Sequence, residues 1–117
     1  MSCLFNSFSY FLKQDSTNIR NMICDYLQEN KPIIDGLDTK MILDMDRPNY
    51  IQHMRKTSTW GGAIEIQAAC NIWNLSIIVH NIRDNNRNKI EFLPINKTNC
   101  KKIEITWSGG HYEPIRN

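Results

Sequence analysis

Apolar residues in the first part of the chain recur at the spacing of a helix face. Residues 3–13 and 16–29 are predicted to form two helices that pack on each other, with Asp15 or Ser16 as the N-cap of the second. A further, largely buried helix is predicted over residues 63–73. The apolar face of the first helix consists of Leu4, Phe8, Phe11 and Leu12.

The pattern between these helices is weaker. Residues 33–46 show no clear periodicity, and the apolar run at 41–43 fits either a helical turn or a loop that enters the core. Residues 50–56 predict a short helix that directs Ile51 and Met54 towards the interior.

From residue 75 onwards the spacing changes to that of strands. Residues 75–80 are apolar and β-branched, which predicts a buried central strand. Residues 90–93 and 102–107 alternate between apolar and polar positions and predict two more strands. The polar residues 83–89 predict a hairpin-like loop between the first two strands.

The two ends of the chain carry the residue types of a thiol hydrolase. Cys3 stands at the predicted start of the first helix, where the positive end of the helix dipole favours a thiolate over a thiol. His111 and Glu113 are two residues apart, so their side chains point the same way in an extended segment. A cysteine, a histidine and an acceptor that orients the imidazole make up a papain-like catalytic set. The alternative interpretation of Cys3 is an inert thiol in a buried first turn.

The composition limits the possible functions. A chain of 117 residues with 41% hydrophobic and 22% charged residues is typical of one globular domain, spanning residues 1–117. The net charge of +2 and the scattered basic residues argue against a nucleic-acid partner, and no apolar run is long enough to predict a membrane span. The four cysteines form no C-x-x-C pair, so neither a metal nor another cofactor is predicted. Without a secretory signal, we expect reduced thiols and a cytoplasmic monomer, in the host cytoplasm if the source is viral.

Three segments of the sequence resemble, in order, the signature blocks of the ovarian-tumour (OTU) cysteine proteases, which are deubiquitinating enzymes. The segments are SCLFNS at residues 2–7, WGGAIEIQAA at residues 60–69 and HYEPI at residues 111–115. The resemblance implies an α+β, papain-like fold with helices packed on a small, mostly antiparallel sheet. It also implies that ubiquitin, or a ubiquitin-like protein, is the partner.

The resemblance implies a thioester mechanism at the C-terminus of ubiquitin. Cys3 would be the nucleophile, His111 the general base and then acid, and Glu113 the residue that orients His111. Backbone N–H groups of Ser2 and Cys3 would form the oxyanion hole. The family more often has Asp or Asn two residues after its histidine, which makes Glu113 a departure from the pattern.

The double-glycine tail of ubiquitin requires a narrow substrate channel. In a protein that resembles this family, Trp60, Trp107, Gly109 and Gly110 are expected to line it, although Trp60 could instead be a core anchor.

Two other polar residues are expected to be structural. Glu65 is expected to be a structural carboxylate that bonds nearby backbone. His80, at the end of a predicted strand, is expected to be a satisfied edge residue.

The first block of the family usually includes an aspartate three residues before the cysteine, and that position would precede Met1 here. We therefore expect an OTU-like domain that lacks the usual N-terminal edge before Cys3. The sequence favours an active deubiquitinase, with two alternatives: an OTU-like pseudoenzyme that binds ubiquitin without cleaving it, and an unrelated interaction protein.

Overall fold

The computed structural model describes residues 2–83 and 88–116, and within them the helices precede the strands. The helices are α1 (Cys3–Leu12), α2 (Ser16–Gln28), α3 (Thr39–Asp46), α4 (Tyr50–Met54) and α5 (Ala63–Trp73). The strands are β1 (Leu75–Asn81), β2 (Lys89–Phe92), β3 (Lys101–Trp107) and β4 (Tyr112–Pro114). Part of the predicted 83–89 loop, residues 84–87, lies outside the described residues.

The described strands form one sheet in the order β2-β1-β3-β4. β1 pairs antiparallel with β2 and parallel with β3, while β3 pairs antiparallel with β4. Two of these three pairings are antiparallel, so the predicted α+β architecture with a mostly antiparallel sheet is confirmed. Within this sheet β1 is an internal strand, and its Leu75 and Ile77 are fully or almost fully buried, as their β-branched and apolar surroundings predicted.

Local sequence signals explain the helix boundaries. α1 ends at Leu12, because its C-cap Lys13 adopts a left-handed conformation. α2 begins after Asp15, whose carboxylate accepts bonds from the amides of Thr17 and Asn18. The predicted boundaries of α5 are confirmed. The ambiguous run at 41–43 lies within α3, so of its two predicted forms the helical one is correct.

The core lies between α1, α2, α5 and the inner face of the sheet. Leu4 and Phe8 are fully buried, as the helical spacing of α1 predicted, and Ile23 of α2 is fully buried as well. Phe5 is also fully buried, although it lies off the predicted apolar face of α1. It contacts the segment that leads into α5, a neighbour that the spacing of α1 alone does not indicate.

Glu65 is the buried carboxylate that organises the start of α5. It is 1% exposed, and its Oε1 accepts a hydrogen bond of 2.7 Å from the amide of Gly62. Its Oε2 accepts one of 2.6 Å from the hydroxyl of Tyr50. The expectation of a structural carboxylate bonded to nearby backbone is confirmed.

Gly61 permits a close approach of two segments. A methyl group at this position would lie 2.7 Å from Leu4 Cδ2 and 3.0 Å from Phe5 Cζ, whereas a methyl group at Gly62 would meet nothing within 4 Å. We therefore expect Gly61→Ala to lower the free energy of unfolding by about 1–3 kcal/mol through overpacking. Gly62→Ala is the adjacent control. Urea unfolding measures both, and equal stability of the two variants would contradict this account of Gly61.

Glu65 makes stability depend on pH. Burial raises the pKa of Glu65, although the hydrogen bonds from Tyr50 and Gly62 act in the opposite direction. Because the folded state binds this proton more tightly than the unfolded chain, the stability that Glu65 contributes is lost as pH rises from the ordinary glutamate range through the folded pKa.

Glu65→Gln does not titrate, so the free energy of unfolding of the native protein should fall relative to that of the variant as pH rises over this range. Urea unfolding at a series of pH values measures this difference. Glu29→Gln, at an exposed position, is the control. A difference between the native protein and Glu65→Gln that stays constant with pH would refute the assignment.

Candidate active site

The N-terminus of α1 and the segment before β4 meet at one cavity of about 170 Å³. The predicted catalytic residues Cys3, His111 and Glu113 all line it. The cavity is completed by polar and apolar residues from the same two segments: Asn6, Ser7, Tyr112, Pro114 and Arg116. The structure therefore brings Cys3 together with His111 and Glu113, which lie more than a hundred positions further along the chain.

Cys3 is the first residue of α1 and is half-buried. The prediction that it starts a helix is confirmed, and the first-turn amides of a helix have no intrahelical partners. Ser7, one turn later and 1% exposed, donates its hydroxyl hydrogen to the carbonyl of Cys3 at 2.9 Å. This bond links Cys3 to the next turn of α1 and so fixes the backbone of Cys3 relative to the helix.

The other cysteines differ from Cys3 in their surroundings. Burial raises the pKa of Cys24 to about 11 and that of Cys70 to about 12. Both are fully buried, so they remain protonated and shielded from substrates near neutral pH. Cys100 is half-buried like Cys3, but it lies in the connection before β3 and does not line the cavity.

His111 precedes β4 and lies within hydrogen-bond distance of Glu113. Nε2 of His111 lies 3.1 Å from Oε1 of Glu113, so the longer glutamate side chain reaches the imidazole. With Nε2–H donating to this carboxylate, Nδ1 is left as the proton acceptor of the neutral ring. Both side chains are exposed, His111 at 56% and Glu113 at 67%, so solvent reaches the pair.

Tyr112, between His111 and Glu113 in the chain, also lines the cavity and is uncharged. Burial raises the pKa of its hydroxyl, and the nearby Cys3 and Glu65 act in the same direction. The hydroxyl therefore stays protonated across the physiological range, as a hydrogen-bond donor and not as a charged group. The sequence motif included Tyr112 but gave it no role.

The predicted channel residues lie outside the lining of this cavity. Trp60 is 48% exposed, so its interpretation as a core anchor is wrong. Its indole lies against Gly110, where a methyl group would be 3.1 Å from Trp60 Cη2. Trp107 ends β3 and packs against the core.

Gly109 turns the chain between β3 and His111. It has a φ of 102°, a conformation that favours glycine, and the amide of Ser108 closes the turn by donating to the carbonyl of His111 at 3.0 Å. A methyl group at Gly109 would lie 3.0 Å from Arg83 Cδ. Sequence reasoning did not identify Arg83, and no pattern around it indicated this contact.

A larger groove lies apart from Cys3 and His111. A groove of about 360 Å³ lies between α2, α3 and α4, and its lining contains neither cysteine nor histidine.

Across residues 2–83 and 88–116, no three His, Cys, Asp or Glu side chains cluster in a way that would hold a metal ion. In the same ranges, no helix is long and apolar enough to cross a membrane.

The family model, the relatives in sequence and the solved structures that match this chain all belong to one family. Residues 2–112 match the family model described as OTU-like cysteine protease. The chain is 30% identical over 120 residues to ubiquitin thioesterase OTU1 of Saccharomyces cerevisiae, with 97% of this chain and 36% of that protein covered. It spans about a third of the length of the curated relatives it matches.

Solved structures show the same fold. An ovarian tumour (OTU) domain in complex with ubiquitin matches with a TM-score of 0.73 and 29% identity over 97% of this chain and 62% of that chain. The viral OTU domain protease from Dera Ghazi Khan virus matches with a TM-score of 0.70 and 22% identity over 97% of this chain and 72% of that chain. Because the family model covers nearly the whole chain and carries Cys3 and His111 within it, this chain belongs to the OTU-like cysteine protease family.

Proposed function

We propose that this domain is a thiol-dependent deubiquitinase, which hydrolyses isopeptide bonds at the C-terminus of ubiquitin or of a ubiquitin-like protein. The observation that carries the proposal is the cavity that Cys3 and His111 both line, with Glu113 bonded to Nε2 of the imidazole. Family membership and the similarity to a ubiquitin thioesterase support the choice of substrate.

The chemistry uses Cys3 as nucleophile and His111 as proton carrier. His111 Nδ1 accepts the thiol proton, and the Cys3 sulfur attacks the carbonyl carbon of the C-terminal glycine of ubiquitin. The imidazolium then protonates the leaving lysine amine, which leaves a thioester on Cys3. Water, deprotonated by His111, hydrolyses the thioester and restores the thiol.

Backbone amides at the start of α1 stabilise the oxyanion in both steps. The amides of Ser2 and Cys3 are the proposed donors, and preorganised donors of this kind supply a large share of the rate enhancement in acyl transfer. The ubiquitin tail reaches this point past Trp60 and the turn that contains Gly109 and Gly110. The contact of Trp60 with Gly110 supports this path, since the Trp60 indole lies against the turn before His111.

The nucleophile can be identified by covalent capture. We expect the protein to form an adduct with ubiquitin that carries a thiol-reactive C-terminal group, and Cys3→Ala to abolish it. Cys100→Ala is the matched control, because Cys100 is also half-buried but lies outside the cavity, and it should retain the adduct. Mass spectrometry measures the product. Binding of ubiquitin without an adduct would favour a pseudoenzyme, and the absence of both would reject ubiquitin as the partner.

Two variants test whether Glu113 orients His111 for catalysis, or whether losing any His–Glu pair lowers activity. Glu113→Ala should lower kcat on ubiquitin with a fluorogenic C-terminal amide on the order of 10- to 100-fold, because the imidazole loses the carboxylate that orients it. Glu104→Ala breaks a second pair, His80 Nε2 to Glu104 Oε1 at 2.8 Å, in the sheet away from the cavity. This control should change kcat by less than about twofold. Equal losses in the two variants would refute the role of Glu113.

A further inference from the structure

Arg20 is a buried cation that joins three segments around the start of α1. It belongs to α2 and is 1% exposed. Its Nη1 donates to the carbonyl of Met54 at 2.7 Å, and its Nη2 lies 3.4 Å from the carbonyl of Thr57 and 3.3 Å from Oγ of Ser2. Its guanidinium carbon stacks 4.2 Å from the centroid of the Phe5 ring. The planar group is therefore fixed in both position and orientation.

Ser2 occupies the N-cap position of α1 without capping the helix. A serine at this position ordinarily accepts a hydrogen bond from the second or third amide of the helix, which here belong to Leu4 and Phe5. The Ser2 side chain makes no such bond, and its oxygen faces Arg20. The first-turn amides of α1 therefore receive no acceptor from their own cap residue.

The neighbouring helix shows the ordinary arrangement in the same chain. Asp15, the N-cap of α2, accepts from the amides of Thr17 and Asn18 at 3.1 and 3.2 Å. No residue of α2 lines the cavity, so its capped end leaves the site unaffected. The uncapped end belongs to the helix that carries Cys3.

We infer that Arg20 is a positioning residue for the proposed reaction: it holds the Ser2 hydroxyl away from the N-terminus of α1 and so keeps the amides around Cys3 open to the oxyanion. The inference rests on the proposed function. An oxyanion hole requires donors that are preorganised and not engaged elsewhere. A serine oxygen folded over the first turn would place a competing acceptor beside the Cys3 amide and offset the positive end of the helix.

A double-mutant cycle between Arg20 and Ser2 tests this directly. Arg20→Lys keeps the cation but loses the planar fork that reaches both Ser2 and the carbonyls. On ubiquitin with a fluorogenic C-terminal amide, it should lower kcat about tenfold and leave KM within about twofold, because the lost interaction acts on the transition state. In a Ser2→Ala background the same substitution should lower kcat by less than about twofold, since no hydroxyl remains to cap the helix.

Arg55→Lys is the matched control for the loss of a buttressing arginine. Arg55 also links to α2, through Asp25 at 2.7 Å and Gln28 at 2.8 Å, and these bonds do not involve Ser2. It should leave kcat within about twofold in both backgrounds. If Arg20→Lys keeps full kcat, or loses the same factor with and without the Ser2 hydroxyl, then Arg20 is a structural residue and the inference is wrong.

Amide hydrogen exchange tests the inference where the Arg20 variant does not fold, and it does not depend on turnover. Exchange at Leu4 and Phe5 should be unchanged between the native protein and Ser2→Ala, because the hydroxyl does not cap these amides. Exchange about fivefold faster in Ser2→Ala, the effect expected from loss of a cap, would overturn the inference. A native protein that does not cleave the ubiquitin substrate would count against the proposed function, while this exchange result would still decide the state of the hydroxyl.

Discussion

The packing of α1 against β4 is the contact on which the candidate active site depends. Cys3 starts the first and His111 immediately precedes the second, so their meeting joins the two ends of the described chain. The buried Leu4 and Phe8 anchor α1, and the pairing of Ile105 with Pro114 anchors β4. Anything that shifts either element would move Cys3 relative to His111.

A second set of contacts connects the middle of the chain to the same place. Gly61 lies directly against Leu4 and Phe5, and Glu65 holds the Gly62 amide. Arg20 bonds the carbonyls of Met54 and Thr57 just before this segment. The central sequence block therefore packs against the start of α1 through Gly61. Its Trp60 lies beside the turn before His111. The first and third sequence blocks line the cavity, and the central block packs against the start of α1 and the turn before His111.

Periodicity in the sequence predicts the elements whose burial is regular. The boundaries of α5 and the burial of β1 follow from local apolar patterns, and α3 was ambiguous because one face, with Met45 84% exposed, carries apolar side chains into solvent. The contacts of Arg20 and Arg83 were beyond such reasoning, since each depends on a segment distant in sequence. The residue types at Cys3, His111 and Glu113 indicated their chemistry, whereas the shape of their cavity needed the fold.

A histidine bonded to a glutamate is not by itself an active site, and this chain demonstrates it with two examples. His80 and Glu104 lie 2.8 Å apart on adjacent strands, closer than the 3.1 Å between His111 and Glu113. The first pair satisfies two polar side chains on the sheet and lowers the pKa of Glu104 through the hydrogen bond. The second shares its cavity with a thiol at a helix start. The thiol in the same cavity, and not the length of the His–Glu bond, therefore distinguishes the candidate site from the pair on the sheet.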